Sequence, residues 1–178
     1  MSTAGRIIVG VHGSLGSLQA LRWAAEEARA RQQTLVPVIA WTPPGGDFAE
    51  RSRPSAYLRH VWRDAAGQRL AEAFDAGLGG LPVDVEVSTR VERGDTGPVL
   101  VDVASQPGDL LVIGTGRRHP VTRLLRRSVG RYCLAHARCP VLAVPPSALM
   151  EEVTRGWPWS RGWSMRGLAD SRGGTELS

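Results

Sequence analysis

The chain of 178 residues has the size of one ordinary domain, and 22 basic against 17 acidic side chains give it a formal charge of +5. With 42% hydrophobic and 22% charged residues, collagen-like, wholly disordered and coiled-coil readings are excluded. No apolar run reaches the roughly 18 to 20 residues of a membrane-spanning helix, and Met1 to Arg6 lacks the layout of a secretory leader, so a cytoplasmic protein is expected.

Strand and helix signals alternate along the chain. Arg6 to Val11 is a short β-branched run, followed by Ser14 and Ser17 as caps and by apolar residues at Leu18, Leu21, Ala25 and Ala28 in helical spacing. Thr34 to Trp41 reads as a second buried strand, in which Pro37 removes one ladder donor. Thr42 to Pro54 is a loop, and a helical pattern then runs from Ser55 through Leu58, Val61, Trp62, Ala65, Leu70 and Phe74 until Gly77, Gly79, Gly80 and Pro82 stop it. Val83 to Thr89 alternates apolar with polar residues and predicts an edge strand. Asp95 or Thr96 can cap a short helix carrying Val99, Leu100, Val103 and Ala104, before the strongly apolar strand Asp109 to Gly114. After a Gly/Arg-rich loop, Ser128 to Ala137 is helical, and Pro140 to Val144 forms a last strand ended by Pro145 and Pro146. This βαβαβαβαβ order predicts an α/β fold, a doubly wound parallel five-stranded sheet with helices on both faces.

The rhythm breaks after Pro146. The expected organisation is a domain over residues 1–147 and a flexible tail over 148–178, in which Trp157, Trp159 and Trp163 interleave with Arg155, Arg161 and Arg166. Such a tail can dock on a partner, fold back on the domain or its dimer mate, or contact an anionic membrane surface.

All 22 basic residues are arginines, which codon bias or guanidinium chemistry can each explain. Arg117, Arg118, Arg123, Arg126, Arg127, Arg131 and Arg138 lie between Leu110 and Met150 in a stretch without acidic residues, so the excess positive charge is local. No recognition motif for nucleic acid accompanies it, and such a partner is not expected. Cys133 and Cys139 match neither a CxxC redox motif nor a zinc framework, and read as a reduced, buried pair.

Ligands of open α/β sheets bind beyond the carboxyl ends of strands where strand order reverses, between the first and fourth strands of such a chain. The first loop there runs from Gly10 through Val11, His12 and Gly13 to Ser14; the second starts at Gly114 and runs to the helix opening near Ser128. Glycine-rich turns that feed helix N-termini favour phosphate. There is no GxSxG elbow, no P-loop lysine and no metal spacing among His60, His119 and His136. Ser14 and Ser128 sit where helix caps belong, so no catalytic residue and no metal ligand are assigned.

Over about residues 4 to 146 the chain resembles the universal stress proteins, an α/β family related to adenine-nucleotide-binding folds. The resemblance is carried by Ile7 to Val11, the following Gly13 and Ser14, the helix segment Leu21 to Ala28, and the closing stretch Ser128 to Pro146. It implies strand order 3-2-1-4-5, a stress-linked role, and dimerisation through the last strand, here Val141, Leu142, Ala143 and Val144, with a further protein partner unassigned. An apolar edge gives that pairing a physical motive.

In ATP-binding members the fourth strand leads into a glycine, a second glycine three positions on, a third ten positions beyond that, and then Ser or Thr. Counted from Gly114, those positions hold Arg117, Arg127 and Ser128, and starting at Gly116 fails because the next glycine is Gly130. His12 stands where such members carry an Asp that contacts the nucleoside, and Ala40 matches the adenine-facing end of the second strand. His136 matches a histidine common in the family's last helix, where helix packing is its expected role. An arginine tolerates positive φ poorly and fills the space of a phosphate, so a degenerate ATP site with no bound cofactor is one expectation. The other is an adenine-nucleotide-binding switch or weak ATPase, in which guanidinium groups replace backbone donors and ATP or another adenine nucleotide binds by way of Val11, His12, Gly13, Ser14, Ala40, Gly114, Arg117, Arg127, Ser128 and Val129.

Overall fold

The computed structural model describes residues 5–46, 50–51, 54–115 and 129–147. Five strands and four helices alternate: β1 (Arg6–Gly10), α1 (Leu15–Arg31), β2 (Thr34–Trp41), α2 (Ala56–Leu78), β3 (Arg90–Arg93), α3 (Thr96–Val103), β4 (Leu110–Gly114), α4 (Val129–His136) and β5 (Val141–Val144). The strands form one all-parallel sheet in the order β3-β2-β1-β4-β5, as predicted.

The period of two along β1 explains the layers. Ile7 and Val9 point into one core with Leu21 of α1, Leu35 and Ile39 of β2, and Leu70 and Phe74 of α2. Ile8 points the other way, into a second core with Val36, Val38, Leu100, Leu111, Ile113 and Cys133. Helices α1 and α2 pack together on the first face, α3 and α4 on the second. A central strand buried on both sides is apolar at every position, which is why Ile7, Ile8 and Val9 are contiguous.

The sheet is closed below by a buried ion pair. Arg6 donates from Nε and Nη2 to both carboxylate oxygens of Asp109 at 3.0 and 2.7 Å, and to the Val103 carbonyl at 2.8 Å. The fully buried Asp109 carboxylate also accepts the Gln106 N–H at 2.9 Å.

The edge strand differs from expectation. Val83 to Thr89 is not a regular strand; the ladder with β2 runs over Arg90–Arg93, and the alternating segment contributes one bridge, Val87 to Leu35. Register explains why. Leu35 pairs with Val87 and Val38 with Arg90, so one unbroken register spans both pairings, and Pro37 falls between them. Leu35 turns its N–H and C=O toward this edge, bonding Glu86 and Ser88, and Pro37, two residues on, faces the same way without an N–H. The missing donor splits one strand into a bridge and a ladder. Val85 and Val87 still pack on the first core, whereas Val83 stands in solvent.

Two other expectations are corrected. Leu58 and Val61 do not join the buried face of α2, which is made by Ala66, Leu70, Ala73, Phe74 and Gly77. His136 does not pack in the core: it is exposed and stacks on Tyr132 one turn earlier, ring centroids 4.1 Å apart. The expected tail, residues 148–178, lies outside the described residues.

Candidate functional site

At the carboxyl edge of β1 the chain continues straight for one residue, with the buried Val11 donating its N–H to the Val38 carbonyl at 2.9 Å. It then turns at the exposed His12 and Gly13. Gly13 has φ +80°, and no atom lies within 4 Å of where a Cβ would stand, so glycine is needed there for conformation alone. Ser14 caps α1: its Oγ accepts the Ser17 N–H at 3.3 Å and lies 3.3 Å from His12 Nε2. The buried Ser17 hydroxyl donates to the Ser14 carbonyl at 2.9 Å and accepts the His12 N–H at 3.4 Å. The loop is thereby folded onto the start of α1, whose first turn carries no acidic residue and presents the positive end of the helix dipole.

Gly114 ends β4 against the same helix start. A methyl group on it would come within 2.3 Å of the Gly16 carbonyl carbon and oxygen and 2.6 Å of the Ser17 nitrogen. Only glycine lets β4 and α1 approach this closely. Thr115 then ties β4 to β5, its N–H and hydroxyl both donating to the Val144 carbonyl at 2.7 and 3.2 Å. Continuing the β1–β2 register, in which Gly10 pairs with Val38, the half-buried Ala40 lies level with His12.

The structure thus gathers Val11, His12, Gly13, Ser14 and Gly114 around the α1 N-terminus, with Ala40 one strand away. Val129 is the first residue of α4 and half-buried. Arg117, Arg127 and Ser128 lie outside the described residues, as do Arg118, Arg123, Arg126 and His119.

A second set of residues at this edge was not foreseen. Glu50, in the β2–α2 connection, is buried and pairs with Arg93 at the end of β3 (2.5 Å) and with Arg59 in α2 (3.5 Å). The Arg93 guanidinium stands 6.0 Å from the Trp41 ring centroid, and Trp41 meets Trp62 of α2 at 6.5 Å. No local spacing links Glu50 to Arg93; only the strand order brings them together. An open groove of about 320 Å³ between β3 and α3 has a mixed lining, with Arg6, Arg90 and Arg93 beside Glu92 and Asp102.

Neither thiol is set up for chemistry. Burial pushes Cys133 up to about 11 and raises Cys139 as well, so both are neutral thiols at neutral pH. Among the described residues no group of three His, Cys, Asp or Glu side chains could hold a metal ion. No described helix is long and apolar enough to cross a membrane.

Comparison with known proteins agrees with this geometry. Residues 3–145 match the sequence profile of the Universal stress protein family. Among curated relatives, Universal stress protein Rv2624c of Mycobacterium tuberculosis is 32% identical over 137 residues, covering 76% of this chain and 46% of the relative. Universal stress protein Rv2623 of the same organism is 33% identical over 144 residues, covering 78% and 46%. The chain therefore spans about half the length of the curated relatives it matches. Among solved structures, a universal stress protein in complex with cAMP superposes with a TM-score of 0.52 at 26% identity, covering 82% of this chain and 100% of that one. A universal stress protein from Archaeoglobus fulgidus gives a TM-score of 0.50 at 26% identity, over 80% and 99%.

Proposed function

The chain belongs to the universal stress protein family, and on that premise we propose that it is a non-catalytic, homodimeric stress-response protein of the cytoplasm that acts through protein contacts. Its phosphate site is no longer built to hold ATP.

The observation that carries this reading is what Gly114 does. A side chain there would collide with the backbone of Gly16 and Ser17, so the glycine is required by the packing of β4 on α1 whether or not a nucleotide binds. The next two glycine positions of the family's ATP motif hold Arg117 and Arg127. On this reading the chain keeps the glycine that the fold needs and has lost those that a triphosphate needs. Dimer formation is supported by the contrast between the two sheet edges. The two edge strands are equally short, but β3 reads Arg-Val-Glu-Arg, a charged edge that discourages pairing, whereas β5 is Val-Leu-Ala-Val with Ala143 exposed.

One observation favours a second reading. The relative solved with cAMP holds a ligand with a single phosphate, which does not need a triphosphate cradle. In this chain the capped α1 start and its loop remain formed, and Arg117 or Arg127 could supply charge-assisted donors to one phosphate group.

Titration calorimetry of the purified protein with ATP and with cAMP tests both. The leading reading expects no saturable ATP binding in the micromolar range, and stoichiometric ATP would overturn it. The second expects cAMP binding that Arg117→Ala and Arg127→Ala weaken at least about tenfold, the scale of a charged hydrogen bond.

A further inference from the structure

From Ala56 to Val61 every residue of α2 is exposed, so the helix begins as a projection from the domain. Three of those residues are large and apolar: Tyr57 is 75% exposed, and Leu58 and Val61 are each 41% exposed. Tyr57 and Val61 are one turn apart and share a face, with Leu58 beside them. The flanking charge is mainly positive. From Arg51 to Arg63 the chain contains no acidic residue, and Arg51, Arg59, His60 and Arg63 are exposed. The buried Glu50 and the exposed Asp64 bound this stretch.

This projecting end is held firmly. Ser55 caps it, its Oγ accepting the Leu58 N–H at 3.3 Å; Glu50 joins Arg59 to Arg93; and Trp62 rests on Trp41. The apolar side chains are therefore displayed on an anchored helix end and not on a frayed one.

We infer that the first two turns of α2 dock on an anionic lipid surface, with Tyr57, Leu58 and Val61 entering the headgroup region and the arginines meeting lipid phosphates. Charge and shape select this occupant. A second copy of the same face would set arginines against arginines. A helical peptide needs a groove, and a projecting helix end does not make one. A convex, cationic helix with an aromatic residue among its apolar ones is the form that inserts at a bilayer interface. The face also stays available in the proposed dimer, because α2 packs on β2 and β3, at the opposite end of the sheet from β5.

The test is co-sedimentation of the full chain with vesicles of phosphatidylcholine alone or mixed with phosphatidylglycerol. The wild type is expected to bind the mixed vesicles, to bind neutral ones weakly, and to lose binding in high salt. The double variant Tyr57→Ser, Val61→Ser should reduce partitioning at least about fivefold, and Arg63→Gln should reduce it on mixed vesicles only. Both alter exposed positions, and an unchanged urea midpoint confirms that the fold is kept. Absent binding, equal binding to neutral vesicles, or binding that persists in the double variant and so belongs to residues 148–178 or another surface would each overturn the inference.

Discussion

Gly114 shows how one residue can be read two ways. From the sequence it is the first glycine of a nucleotide motif; in the structure it is the contact that lets β4 close on α1. Because the colliding atoms are backbone, Gly114→Ala cannot be absorbed by a rotamer change, and we expect a loss of about 2–3 kcal/mol in urea unfolding. An unchanged midpoint would show that the two elements can separate at little cost. The ion pair at the other end of the sheet is a sharper case. Asp109 is fully buried and depends on Arg6 for two of its hydrogen bonds, so Arg6→Met leaves a charge without its counterion and should cost about 3–5 kcal/mol. Cys133 adds a pH dependence of known sign. Its thiol ionises near 9 when unfolded but near 11 in the core, so the folded state holds the proton longer. Its contribution is complete below pH 9 and fades as pH rises toward 11. Chemical denaturation of wild type and Cys133→Ala should therefore converge over that range, and parallel curves would contradict the burial argument.

At the scale of elements, most of the fold was legible because the central strands are buried on both faces and carry unbroken apolar runs. Ile7 to Val9 and Leu111 to Ile113 permit no other reading than core strand once helices flank them. The edge was harder, since alternation in Val83 to Thr89 reports which side faces the core and not where backbone bonds form. That was decided by Pro37, a residue in the neighbouring strand. Restoring the donor with Pro37→Val should let the Ser88 carbonyl accept a bond and join the bridge to β3. Amide exchange over Val87 to Val91 should slow, whereas unaltered exchange would show that the break has another cause. Helix α2 illustrates a second limit. Its hydrophobic pattern starts at Leu58, but the sheet beneath it covers only the later turns, so the same apolar spacing marks core from Ala66 onward and surface before it. The site was legible in its loops and caps, which are local. The Glu50, Arg59 and Arg93 cluster was not, because three separate elements supply it.

At the scale of the whole molecule, the chain spans about half the length of the curated relatives it matches. The proposed dimer joins two copies through β5. Ala143 is exposed on that strand, so Ala143→Arg should place a charge in the seam, yield monomer in sedimentation velocity, and remove any dependence of the unfolding midpoint on protein concentration. Under the proposed function, the arginines concentrated between Leu110 and Met150 belong to an altered phosphate loop. The most direct test of that account is native mass spectrometry of the untreated protein, whose chain mass is 19.2 kDa. The account expects a species of two chains carrying no ATP. A monomer, or a dimer retaining one ATP per chain, would contradict it.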